Sequence, residues 1–461
     1  MTAAPQSGKG EKTLRARLVH GGSWALLARA LAVPAGLATA VLLARFLTPE
    51  ELGSYFLVMS MVGLLAIAAQ AGLARPMVKL IAAARARDQP GEARHALEVA
   101  LVVTALGLVV IGLVLLGAPG RWLAARLAAG RLVSTVLDLA FALTVILALS
   151  DLVAESMRGF ERLGRASFLS EGLAQRLGVT VVLVLLWSIG HDLDLRGALL
   201  IGTWVGALVL IAALLLLWRE MRRLPRGRGA QTTVEVLRHG PPFFVVRLNL
   251  WLMAGADLWV LGMFRPAEEV ALYGAASRLA LLIRLPLVAS NAILAPVVAE
   301  LHQQRDPKRL ERVIRAAATA GTLPALLAAL LLVLTGDLVL RTVFTDAYAS
   351  AWPIMVILAV GQCVHAAFGA CNIALTMTGH QRDVMVIGPV VSVGTVLALL
   401  LVAPAAGGTG VAAVVTLSLT AYNVLLARAA FQRLGLRTWA TLSPEVLRSI
   451  GSIRRPARRV P

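Results

Sequence analysis

Leu43-Ala44-Arg45-Phe46-Leu47-Thr48-Pro49-Glu50-Glu51-Leu52-Gly53-Ser54-Tyr55 decides the fold, because the chain writes it twice. The second copy is Leu261-Gly262-Met263-Phe264-Arg265-Pro266-Ala267-Glu268-Glu269-Val270-Ala271-Leu272-Tyr273, about 218 residues later. Without a gap, Leu, Phe, two Glu and Tyr coincide, and Leu52 stands opposite Val270. Ser156-Met157-Arg158-Gly159-Phe160-Glu161-Arg162 and Thr376-Met377-Thr378-Gly379-His380-Gln381-Arg382 recur at nearly the same offset. Repeated halves in an apolar chain are a mark of transporters, which hold a binding site between two related bundles.

The composition places that repeat in a membrane. Of 461 residues, 58% are apolar and 15% charged, which excludes an ordinary soluble globule. Apolar runs of about 20 residues recur throughout, each long enough to cross a hydrocarbon core roughly 30 Å thick. Lys and Arg exceed Asp and Glu by 44 to 25. These charges lie between apolar runs and not on one amphipathic surface, so a nucleic-acid partner is excluded and the positive-inside rule explains them. Cys363 and Cys371 share one apolar run at helical spacing and form neither a zinc pattern nor a disulfide framework. The first apolar segment is too long for a signal-peptide core, so it is expected to remain as a span.

Twelve spans are predicted, near 24–46, 54–74, 96–117, 132–154, 169–189, 197–218, 241–263, 271–298, 314–334, 352–375, 384–405 and 409–431. Of the alternating polar segments, one set holds roughly 30 basic residues against about 7 in the other, which makes it cytoplasmic. The expected fold is an all-α integral membrane protein of about twelve helices in two six-helix lobes. Both lobes have the same orientation and are parallel repeats about the membrane normal. The expected organisation is a basic cytoplasmic N-terminus (1–23), an N-lobe (24–218), a basic linker (219–240), a C-lobe (241–431) and a basic cytoplasmic tail (432–461), with both termini loosely ordered.

Several stretches are similar to a known family. They are the Phe-x-x-x-Glu-Glu-x-x-x-Tyr motif, Asp257-Leu258-Trp259-Val260-Leu261-Gly262, Tyr273-Gly274-Ala275-Ala276-Ser277-Arg278-Leu279, Pro286, Ala295-Pro296 and Phe344-Thr345-Asp346-Ala347-Tyr348. Together they resemble the polysaccharide-biosynthesis flippases of the multidrug/oligosaccharidyl-lipid/polysaccharide exporter superfamily, over about 20 to 431. The resemblance implies a MATE-like, two-lobed inner-membrane transporter working by alternating access. Its implied substrate is an undecaprenyl-diphosphate-linked oligosaccharide, moved from the cytoplasmic to the periplasmic leaflet. It also implies membrane lipids and a polysaccharide polymerase with export machinery as partners, a monomeric chain and no cofactor. Lipid II flippases of the superfamily usually carry two further helices, where this chain has a basic tail.

Charged residues inside spans are candidate functional groups. Arg29 and Arg247 fall at the same place in the two repeats, a turn or two from the cytoplasmic end. Facing each other, they would clamp a diphosphate with planar donor arrays. The alternative is snorkelling to lipid phosphates. Arg284 is expected near mid-membrane, about 20 Å into the eighth span, where Pro286 and Pro296 bend the helix around a substrate cavity. Asp257 and Arg278 are read either as a structural ion pair or as a coupling residue beside a substrate-binding one. Glu171 and Arg176 read as an intrahelical pair, and His365 as an interhelical hydrogen-bonding group.

Gly407-Gly408-Thr409-Gly410 lacks the lysine and hydroxyl of a phosphate loop, so ATP hydrolysis is not encoded. A drug exporter of the same superfamily is disfavoured because its cationic cargo calls for acidic residues deep in the first half. A membrane polymerase is disfavoured because no large extramembrane loop exists. Arg284 and Asp257 have no charged repeat counterparts (Ala66 and Thr39), which places the specialised chemistry in the second half.

Overall fold

The structure is a computed structural model that describes residues 31–124, 130–169, 172–225, 227, 230–441 and 443. Nine helices among the described residues are long and apolar enough to cross a membrane, and the shorter apolar helices Leu31–Phe46 and Leu173–Ser188 accompany them. One of the nine, Gln381–Leu434, is two helices merged across Gly407, whose φ of 55° suits glycine. Counting it twice and adding the two shorter helices gives twelve apolar segments among the described residues, the number the apolar runs predict.

These are α1 (Leu31–Phe46), α2 (Pro49–Ala69), α3 (Pro90–Leu116), α4 (Leu137–Gly159), α5 (Leu173–Ser188) and α6 (Leu195–Arg222) in the first lobe. The second lobe holds α7 (Ala230–Phe264), α8 (Ala267–Gln303), α9 (Pro307–Val339), α10 (Asp346–Met377), α11 (381–406) and α12 (408–434). Much of the polar segment 219–240 is helical, since α6 runs to Arg222 and α7 starts at Ala230 and passes through Pro241-Pro242. Exposed stripes such as Val102, Leu106, Val109 and Leu113 on α3 form the lipid-facing surface.

The repeated motif does its structural work at the helix starts. Thr48 and Glu51 form a capping box on α2, with Pro49 in the first turn. Glu51 reaches further: its Oε1 accepts the N–H of Leu195 at the start of α6, at 3.3 Å. Glu269, its counterpart, accepts the N–H of Gly408 at the start of α12, at 2.6 Å, while Arg265 Nε donates to its other oxygen at 2.7 Å. In each lobe the second glutamate therefore ties the second helix to the sixth.

The lobes meet where α2 crosses α8. Gly53 lies so close to the Ala267 carbonyl, and Gly274 to the Phe56 ring, that a Cβ at either glycine would overlap its neighbour. Inside a bilayer association gains from tight packing more than from release of water, and small residues at the crossing permit it. Around this crossing Leu43, Leu52, Phe56, Leu261, Val270 and Tyr273 are all buried in one cluster.

Two helices of the second lobe are interrupted. A 3-10 turn, Leu281–Arg284, breaks α8 just before Pro286. Gly369 breaks α10 between Trp352–Phe368 and Ala370–Met377. The tail was expected to be loosely ordered, yet Leu436 and Thr438 are buried.

Candidate functional site

Below the α2–α8 crossing lies a cavity of about 410 Å³. Its lining follows the repeat. Val33 and Trp251, Gly36 and Ala254, Ala40 and Leu258, Ser60 and Arg278, and Gly63 and Leu281 are pairs at the 218-residue offset, and all ten residues line it. The cavity thus straddles the pseudo-twofold between the first two helices of each lobe. It then extends into the first lobe, between α1, α4, α5 and α6. Among the described lining residues, Trp251, Ala254, Gly255, Leu258, Arg278 and Leu281 are those from the second lobe.

Two guanidinium groups enter this space from opposite lobes. Arg176 on α5 donates from Nη1 to the Ala32 carbonyl of α1, at 3.0 Å. Arg278 on α8 lies 5.6 Å from the centroid of the Phe56 ring, and among the described residues it has no ion-pair partner. The two arginines are within electrostatic reach of each other, and Tyr55 is within reach of both. Gln175, Thr39 and Ser60 add polar groups to the lining, and Gln175 Nε2 donates to the Gly202 carbonyl at 3.0 Å. No Asp or Glu stands among the described lining residues. The result is an amphipathic chamber with concentrated positive charge, suited to an anion whose remaining surface is apolar or sugar-like.

The other predicted site residues separate. Arg29 and Glu171 lie outside the described residues. Arg247 is not in the lining, because its Nη2 pairs with Asp151 Oδ2 of α4 at 2.7 Å, with both side chains 19% exposed. Asp257 and Arg278 form no ion pair. Asp257 instead accepts the Tyr273 hydroxyl at 2.7 Å and the Leu258 N–H at 2.9 Å. The first-lobe counterparts of Asp257 and Tyr273, Thr39 and Tyr55, both line the cavity. Most of the described chamber wall belongs to the first half, whereas the sequence places the specialised chemistry in the second.

Arg284 is not in the lining but stands next to it. In a 3-10 turn side chains three residues apart eclipse one another, so Arg284 follows cavity-lining Leu281 on the same face. It is exposed, about 9 Å further from the start of α8 than Arg278, and within electrostatic reach of His365. His365 Nδ1 lies 3.2 Å from Asn423 Oδ1 of α12, the interhelical role expected of it.

Sequence reasoning missed Asp151 and read Arg176 only as a partner for Glu171. Arg176 had one readable signal, an arginine about two turns inside the apolar run 169–189. Asp151 had a similar one, a carboxylate eight residues from the end of a long span.

The architecture recurs in solved structures. An inward-facing multidrug resistance MATE family transporter of the MOP superfamily superposes with a TM-score of 0.71 at 16% identity, covering 88% of this chain and 94% of the other. The lipid II flippase MurJ in an inward closed conformation gives 0.69 at 12% identity, covering 87% and 86%. A MOP superfamily transporter from Pyrococcus furiosus, for which reverse polarity of the binding pocket is described, gives 0.59 at 14% identity, covering 91% and 95%. At these identities the likeness shows the fold. A search of curated proteins found no match. The MatE family matches residues 242–400, and the polysaccharide biosynthesis protein family matches residues 18–302, well over half of the chain. The chain belongs to the polysaccharide biosynthesis protein family, with the all-helical membrane fold of MATE transporters.

Proposed function

We propose that this transporter moves an undecaprenyl-diphosphate-linked oligosaccharide from the cytoplasmic to the periplasmic leaflet of a bacterial inner membrane, by alternating access and without chemistry on the cargo. One observation carries this reading. Arg176 and Arg278, from opposite lobes, reach one cavity with no carboxylate among its described lining residues. A diphosphate offers acceptor oxygens to both guanidinium groups, and holding it would couple the lobes through the ligand. A volume near 410 Å³ falls within the roughly 300–1,000 Å³ of small-ligand sites, enough for the charged head and not for a whole glycan. The glycan would occupy space that opens when the lobes separate.

Family membership supports the same cargo class. So does the charge, since a cationic drug would meet two arginines and no acid in the described lining. Arg284, nearer the cytoplasmic end by the orientation read from the basic segments, is assigned the first contact with the incoming head. Arg278 and Arg176 hold it at mid-membrane. Arg247 serves the packing of α7 on α4, and Asp257 orders Tyr273. Both chain ends are then cytoplasmic, and a polysaccharide polymerase acts downstream.

The test is binding by the purified protein in detergent. Undecaprenyl diphosphate should compete with a fluorescent polyprenyl-diphosphate probe, and a lipophilic cation should not. Arg176→Ala and Arg278→Ala should each weaken the probe at least tenfold. Competition by the cation alone would overturn the reading.

A further inference from the structure

Both interrupted helices of the second lobe break at one level. Leu287, just after the α8 break, packs on Gly369 at the α10 break, and its Cα lies 3.3 Å from where a Cβ on Gly321 of α9 would be. Below this layer the cytoplasmic halves of α8, α9 and α10 form their own cluster, with Leu294, Val298, Leu310, Ile314, Ala370 and Ala374 buried together. Breaks stacked in this way form a hinge, because α8 and α10 can bend there without unravelling their cytoplasmic halves.

The chain after α12 returns to this cluster. Gly435 ends the helix with φ of 67°, its N–H held by the Phe431 carbonyl at 2.9 Å. Leu436 then joins the cluster at 4% exposure. Ala440 donates its N–H to the Ala367 carbonyl, two residues before the α10 break, at 2.9 Å. The N–H of Thr441 donates to Thr319 Oγ1 of α9 at 3.0 Å. A short non-helical segment thereby ties the end of α12 to α9, to the α10 break and to the half-helices below it. The first lobe has a fainter equivalent, where Leu224 after α6 accepts from Arg94 of α3 at 3.2 Å.

We propose that residues 436–441 are a displaceable strap, which blocks bending at the α8–α10 hinge while docked and must let go for the hinge to move. Three features fit release better than permanent packing. The attachment rests on three hydrogen bonds at two points, the Ala440 N–H on Ala367 and the Thr441 N–H and carbonyl on the Thr319 hydroxyl. The segment takes no part in a helix. The Thr438 hydroxyl is buried without a hydrogen-bond partner among the described residues, an unfavourable arrangement that undocking relieves. Sparse hydrogen bonding marks a segment that opens at low cost. The inference concerns motion within one lobe and does not depend on the cargo.

The experiment is a reversible tether on the full chain. With Cys363 and Cys371 replaced by Ala, Ala367→Cys and Ala440→Cys are introduced and oxidised to a disulfide. Hydrogen exchange is then followed over 285–303 and 370–377 in nanodiscs. The disulfide should form in most molecules and slow exchange in both half-helices at least tenfold relative to the reduced protein. Truncation after Gly435 should speed it above that of the full chain. Failure of the disulfide to form would show that the strap does not dock. Equal exchange in oxidised and reduced protein would show that it does not govern the hinge. Either result overturns the proposal, and the tethered chain remains informative if the truncated one does not fold.

Discussion

Phe56 and Gly274 occupy the same position in the two repeats, about 218 residues apart, and they touch. Equivalent residues of two related halves can meet only beside the axis that relates them. The contact therefore marks the pseudo-twofold and places it at the α2–α8 crossing, directly above the cavity. One half supplies an aromatic ring and the other the missing side chain that receives it.

Gly274→Ala should force the crossing apart, because its Cβ would overlap the Phe56 ring. Overpacking of this kind costs about 1–3 kcal/mol, which would appear as a lower thermal unfolding temperature in detergent. A cysteine at Ser60 in the cavity should also become reactive to an impermeant maleimide added from the periplasmic side. The second change, Phe56→Leu in the Gly274→Ala background, should restore both.

Arg278→Lys should retain less transport than its charge suggests, since a point charge replaces a planar fork. A loss of about tenfold is expected, against about a hundredfold for Arg278→Ala, with equal protein in the membrane. The Arg176→Ala, Arg278→Ala double variant should lose no more than the stronger single one, because both groups act on one ligand. Initial rates of cargo movement at fixed protein check this.

Glu269→Gln should destabilise the second lobe through the start of α12, where the carboxylate now accepts the Gly408 N–H and the Arg265 guanidinium. A lost charge-assisted bond is worth about 1.5–3 kcal/mol. Glu51→Gln, whose bond to Leu195 is longer at 3.3 Å, should cost less. Chemical unfolding of the two variants side by side gives the comparison.

Asp151→Ala should be more harmful than removing both members of its pair. It leaves the Arg247 cation partly buried and uncompensated, at a cost of about 3 kcal/mol. The Asp151→Ala, Arg247→Leu double variant should recover most of that loss, as measured by thermal stability.

Much of this architecture was legible in the sequence, since apolar runs set the spans and the repeat set their grouping. The repeat also located the cavity, because pairs such as Ser60 and Arg278 stay together when the halves are folded over each other. What it could not give was contact between residues without a repeat relationship. Arg247 looked like half of a clamp, and only folding brings Asp151 of another helix to it, 96 positions away. Arg176 reads in the sequence as a partner for Glu171, which lies outside the described residues, and its reach to Ala32 depends on how α5 packs on α1. The segment 436–441 has too few apolar residues to announce burial, and its place is set by the half-helices it covers.

The most direct measurement uses proteoliposomes containing a fluorescent polyprenyl-diphosphate-linked oligosaccharide in both leaflets. Accessibility of the outer leaflet to an impermeant quencher is followed with time. The account predicts protein-dependent movement of this lipid that Arg278→Ala and Arg176→Ala each reduce at least tenfold, with no movement of a neutral glycolipid lacking the diphosphate. Equal movement of the neutral glycolipid, or undiminished movement in both arginine variants, would contradict it.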